Sequence, residues 1–111
     1  MTIENGPKIE QDLAEQKHIS HEHPDFQGHF PNFPLLPAVS QIDLVLDLIS
    51  AHCGARVVCV GVERAKFRAM LKPETQVSIQ VYGEGEAKAR WIVRDDTSIY
   101  SQGLLQLAWA L

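Results

Sequence analysis

A chain of 111 residues with 14 acidic and 10 basic side chains, net charge −4, has no overall basic footprint and is not built for nucleic acid. At 45% hydrophobic and 22% charged residues it has the balance of one ordinary globular domain, and no apolar run is long enough to span a bilayer. Cys53 and Cys59 make no disulfide framework and read as free thiols of a reducing cytoplasm, and the polar, acidic start MTIENGPKIEQD has the makeup of neither a signal nor a transit peptide.

Residues 1–6 read as a loose terminus. Weak alternation of apolar positions then predicts a strand over 13–22, on which His21 and His23 share a face. Two such histidines could form half of a metal site. No Cys or further His stands near them at ligand spacing, so solvated surface histidines are the favoured reading and no metal is expected.

The stretch QGHFPNFPLLPAVSQID, Gln27 to Asp43, carries Pro31, Pro34 and Pro37, three of the six prolines of the chain. Proline fixes φ and disfavours helix in the residue before it, so the segment up to Leu36 is stiff and extended. Pro37 suits the first turn of a helix running to about His52, with Val39, Ile42, Leu46 and Ile49 at helical spacing and Gly54 as its stop. Leu44, Val45 and Leu48 make other sides apolar too, which predicts an enclosed helix. Asp43 lies among these residues, where a charge is costly unless it has a partner or a task.

Four strands are expected after the helix: 56–69, 75–82, 87–94 and 99–110, with turns at Lys72-Pro73-Glu74, Gly83-Glu84-Gly85 and Asp95-Asp96. Consecutive strands with short turns predict an antiparallel meander. The expected architecture is α+β, a curved antiparallel sheet wrapped around one long central helix. Such a sheet keeps an open edge, and dimerisation is the simple remedy.

The segment FQGHFPNFPLLPAVSQID resembles the active-site segment of the FabA/FabZ-like hotdog family of 3-hydroxyacyl-[acyl carrier protein] dehydratases. Gly28-His29-Phe30-Pro31, Pro34 and Pro37 match in place, and Asp43 stands fourteen residues after His29, where the family has its acid. KFRAMLKPETQVSI resembles the strand and turn that follow the family's helix. The variant SQID resembles that of short dehydratase-like proteins of aryl-polyene and related polyketide-type pathways. The chain departs from the pattern at Asn32 and Ala38, where the family usually has glycine; the alanine methyl narrows the approach to a thioester but keeps the backbone N–H.

The resemblance implies a hotdog fold, a cytoplasmic lyase without resident cofactor, and a substrate carried on the phosphopantetheine of an acyl carrier protein. It implies His29 as base at the α-carbon and Asp43 as acid at the β-hydroxyl. An imidazole near pH 6.5 is mostly neutral in cytoplasm, and burial raises a carboxyl pKa, so both roles suit the residue types. The N–H groups of Ala38 and Val39, free of helix partners, suit a thioester oxyanion. Phe30, Phe33 and Pro37 would line the acyl channel. In the resembling enzymes the histidine and the acid of one site come from two subunits, so a homodimer, or a heterodimer with a related hotdog subunit, is implied. Arg64, Lys66 and Arg68 share a strand face by alternation; Lys66 and Arg68 suit docking of an acidic carrier protein, and a solvated face is the competing reading. Two other functions stay open: a hotdog thioesterase with Asp43 activating water, and a catalytically weak acyl-binding partner subunit.

Overall fold

The computed structural model describes residues 4–22 and 38–110. One helix, α1 (Ala38–Cys53), packs against a six-stranded antiparallel sheet of β1 (Glu4–Asn5), β2 (Leu13–Ile19), β3 (Val57–Phe67), β4 (Thr75–Gly83), β5 (Lys88–Arg94) and β6 (Ile99–Trp109). This is the α+β hotdog arrangement. The helix touches β2, β3 and β4, so the sheet curves around it.

Alternation sets which side of each strand is buried. Val77, Ile79 and Val81 of β4, Ala89, Trp91 and Val93 of β5, and Leu105 and Leu107 of β6 all face α1, whose core stripe is Leu44, Val45 and Ile49. Trp91 lies opposite Val81 on one side and Gly103 on the other. Its indole covers Gly103 and donates Nε1–H to Ser101 Oγ at 3.0 Å, which satisfies the one polar atom of a fully buried side chain. Gly54, at φ 70°, ends α1 as a left-handed cap, and the Val57 N–H bonds Ser50 Oγ at 3.0 Å, so helix and strand meet with few loose backbone groups.

Three expectations change. The strands do not form a simple meander: β4, β5 and β6 do, but β3 pairs with β6 rather than with its sequence neighbour β4. The chain crosses between Phe67 and Thr75 from the β3 edge to β4, which lies between β5 and the opposite edge strand β2. Residues 4–5 are not a loose terminus, since they pair with Trp109 and Ala108 of β6, the stretch that β5 leaves unpaired. The second strand stops at Ile19; His21 lies in a turn, so alternation cannot put it on a strand face, and His23 lies outside the described residues.

Candidate functional site

Among the described residues the sheet ends with β3 as an edge, paired on one side only. Five large apolar side chains among the described residues stand exposed, and all belong to the first turn of α1, β3, or the loop after it: Val39, Val60, Val62, Phe67 and Met70, exposed by 42 to 65%. Val39 and Val62 face one groove between the helix and this edge strand.

Between α1 and β3 runs a groove of roughly 610 Å³. Its walls are mainly apolar, with Val39, Ile42 and Leu46 from the helix and Val58 and Val62 from the strand. Asp43 and Asp47, one helical turn apart, put two carboxylates into it. Asp43 was expected to be buried in the helix interior and is exposed. Helical spacing explains the difference: Leu44, Val45 and Ile49 take the stripe that the sheet covers, and Asp43 falls on the opposite, outward stripe with Val39. It makes no ion pair among the described residues, so it is not half of a core salt bridge. Asp47 and Arg56, which also line the groove, were not singled out as site residues from sequence, although Asp47 sits at i+4 from Asp43.

Ala38 and Val39 open the helix, with their N–H groups in the first turn, where an α-helix leaves donors without intrahelical partners. The structure therefore brings Ala38, Val39 and Asp43 together on the first two turns of one helix. His29, Phe30, Phe33 and Pro37 lie outside the described residues.

The proposed docking cations do not stay together. Two register shifts interrupt β3, and Arg64, in the second, takes φ 53°. Simple alternation fails there. Arg64 and Lys66 line a shallow depression of roughly 240 Å³ with Arg90 of β5, over Ile92 and Leu104. Arg68 lies past the end of β3 and is not part of it. Arg90 pairs with Glu84 and stacks over the Tyr82 ring at 5.2 Å, which fixes its position.

The histidines of the β2 exit have a different occupation from metal binding. His18 Nε2 and His21 Nδ1 both bond the Glu74 carboxylate, which also accepts the His21 backbone N–H at 2.9 Å. Those bonds hold the Glu74 carboxyl down at about 2, and Glu74 raises the His21 pKa. Among the described residues no group of three His, Cys, Asp or Glu is arranged to hold a metal ion. No helix there is long and apolar enough to cross a membrane. Both cysteines are free thiols, and burial pushes Cys53 up.

Comparison with known proteins gives the same direction. A family model described as ApeI-like, ApeI dehydratase, matches residues 6–104. Two similar curated proteins are 3-hydroxyacyl-[acyl-carrier-protein] dehydratases FabZ. The one from Pelotomaculum thermopropionicum is 32% identical over 73% of this chain and 60% of its own length. The one from Chloroflexus aggregans is 31% identical over 72% of this chain and 65% of its own length. The chain thus spans less than two thirds of these relatives. Among solved structures, a chain of the dehydratase heterocomplex ApeI:P from Xenorhabdus doucetiae superimposes with TM-score 0.78 at 24% identity, covering 97% of this chain and 99% of that one, a likeness of fold.

Proposed function

This chain belongs to the ApeI-like family, and on that premise we propose that it removes water from 3-hydroxyacyl thioesters held on acyl carrier protein, giving trans-2-enoyl thioesters in fatty-acid or polyketide/aryl-polyene-type synthesis. The observation that carries the reading is the position of Asp43: an acid on the outward stripe of α1, in an apolar-walled groove beside an unpaired edge strand.

Elimination needs a base at the α-carbon, a proton for the departing hydroxyl, and donors for the oxygen that gains charge. His29, by its match to the family segment, takes the α-proton. The N–H groups of Ala38 and Val39 hold the thioester oxygen as it becomes an enolate; losing such a donor commonly costs about 10²–10³ in rate. Asp43 protonates the β-hydroxyl, the C–O bond breaks, and water leaves. On the single chain Asp43 is open to solvent, which a general acid of this kind does not suit. A second hotdog chain, laid along β3 and over the groove, desolvates it and covers Val39, Val60 and Val62. Identical and related partner subunits both fit this reading, and His29 then faces the Asp43 of the other chain.

The carrier protein is acidic, and the Arg64, Lys66 and Arg90 depression gives it a cationic docking point with an apolar floor. Lys66 belongs to this depression, and Arg68, past the end of β3, does not. The chemistry requires no resident cofactor, and free thiols suit a cytoplasmic setting.

The test is incubation with a 3-hydroxyacyl carrier protein, with the chain alone and co-expressed with a related hotdog subunit, followed by mass spectrometry. Loss of one water from the acyl carrier supports the dehydratase. Release of free acid points to a thioesterase, and an unchanged substrate to an acyl-binding subunit.

A further inference from the structure

The depression on the face of the sheet turned away from α1 is built more closely than a charged docking point needs. Strand register puts its side chains in two rows. Lys66, Gln102 and Ile92 stand opposite one another across β3, β6 and β5, and Leu104 stands opposite Arg90 in the next row. Cations form the rim, and half-buried Ile92 and Leu104 form the floor. Arg64 joins them from the register shift, where φ 53° takes it out of regular strand. Arg90 is already engaged, paired with Glu84 and stacked on Tyr82. Arg64 and Lys66 make no ion pair among the described residues. Glu63, which feels Arg64 only weakly, is held by Gln106 and Lys88. Two free cations thus converge on a concavity of roughly 240 Å³ with an apolar base. An acidic helix on a carrier's surface is convex and asks instead for cations spread over a flat face.

We propose that this depression binds the phosphate at the root of a phosphopantetheine arm, with Arg64 and Lys66 on the phosphate oxygens. Ile92 and Leu104 then lie against the two methyl groups that the arm carries on the second carbon from the phosphate. This rests on the dehydratase reading and narrows the carrier contact from a charged surface to one group. The match lies in the order of the chemistry. Phosphate oxygens accept from a guanidinium fork and from an ammonium. The branched carbon beside them has no polar atom and gains from an apolar surface. The hydroxyl and amide that follow meet Gln102, which has both donors and an acceptor. A side-chain carboxylate or an inorganic phosphate supplies the charge without the branched carbon. The placement is suitable, because β3 borders both sites: Val62 lines the groove and Arg64, two residues on, lines the depression. That is ~7 Å of strand, within reach of an arm about as long as five extended residues, ~17 Å. The arm passes the strand at the shift between Glu63 and Lys66, beyond the Val60 and Val62 positions given to a second chain.

The test titrates the assembled full chain by calorimetry with phosphopantetheine, pantetheine, inorganic phosphate, coenzyme A, and the carrier protein with and without its arm. Phosphopantetheine should bind about tenfold more tightly than either pantetheine or inorganic phosphate. The double substitution Arg64→Gln, Lys66→Gln should remove the advantage over pantetheine; both side chains are exposed, so Tm should hold. Leu104→Thr should reduce the advantage over inorganic phosphate. The carrier without its arm should bind the natural protein and the double variant alike. The armed carrier and coenzyme A show which bearer of the arm the site takes, and loss of either with the two cations supports the site. The proposal fails if phosphopantetheine binds no better than pantetheine, or if inorganic phosphate binds as tightly. It fails too if the double variant loses the armless carrier as fully as the armed one, which is docking through carboxylates. Water loss from armed carrier at an unchanged KM in the double variant would overturn the site and leave the dehydratase reading. A protein that holds phosphopantetheine through these cations and removes no water would fail the dehydratase reading and leave the site.

Discussion

Glu74 holds His21 twice, through the backbone N–H and through Nδ1, and so ties the exit of β2 to the turn that starts β4. The Glu74 backbone closes the same junction, with its N–H on the Ile19 carbonyl and φ at 60°. His18 Nε2 bonds the second carboxylate oxygen at 2.6 Å. The charged groups acting on His21 are Glu74 first and Glu22 more weakly.

This junction makes stability depend on pH in a stated direction. The folded pKa of His21 is raised, so its contribution is complete below the unfolded value and is lost as pH rises through the folded one. Glu74 is depressed to about 2, so its contribution is present above the unfolded carboxyl range and is lost as pH falls toward that value. The difference in Tm between the natural protein and Glu74→Gln should be largest near about pH 5–6 and shrink on both sides. In the variant, the His21 ring protons should titrate at a lower pH than in the natural protein by NMR. An unshifted His21 in the natural protein would contradict the geometry.

Gly103 is required by what lies over it. A Cβ there would stand 2.6 Å from the Trp91 ring and 3.0 Å from the Ala65 backbone, and neither is a flexible chain end. Gly103→Ala should destabilise the fold by about 1–3 kcal/mol, the usual cost of overpacking, read as a lower urea midpoint with an unchanged slope. An unaltered midpoint would mean that the indole moves freely.

Burial pushes the Tyr100 hydroxyl up to about 12, and its bond to the Asp95 carboxylate adds to the shift. Asp95→Asn removes the carboxylate's contribution and keeps burial, the largest single cause. Tyr100 should then ionise at a lower pH than in the natural protein, and still above an ordinary tyrosine, in an ultraviolet titration.

The exposed β3 edge gives a prediction about assembly. Val60 is 54% and Val62 is 43% exposed on the single chain, so the fold has no need of their side chains. The double substitution Val60→Lys, Val62→Lys should leave circular dichroism unchanged and convert the assembled protein to single chains in sedimentation. Assembly that survives both lysines would place the interface elsewhere.

The part of this molecule set by local pattern was legible from sequence. Thr75–Gly83 alternates between Val77, Ile79 and Val81 and polar neighbours, and Gly54 marks the helix end, so both elements could be placed from their own residues. Pairing partners could not, because nothing local tells β3 to join β6 across 30 or more residues, or tells Glu4–Asn5 to fill the end of β6. The irregularity at Arg64 hides for the same reason, since a bulge answers to the partner strand. Asp43 is the instructive case. Periodicity showed a helix apolar on several sides but not which side its own sheet covers and which stays exposed. The motif pointed to Asp43, and the physical setting of that residue came only with the fold.

The measurement that bears most directly on the site is subunit complementation. His29→Ala and Asp43→Asn chains are each purified, assayed for water loss from a 3-hydroxyacyl carrier protein, then mixed under exchange conditions and assayed again; where a related subunit is the natural partner, the two substitutions are placed in opposite subunits and in the same one. Each variant alone should lose about 10²–10⁴ in rate. Mixed dimers should regain a substantial share of activity, because one of their two sites keeps both residues. Mixed dimers that form, as shown by native mass spectrometry, and stay inactive would contradict a site shared between chains; an Asp43→Asn protein as active as the natural one would contradict the role of the acid itself.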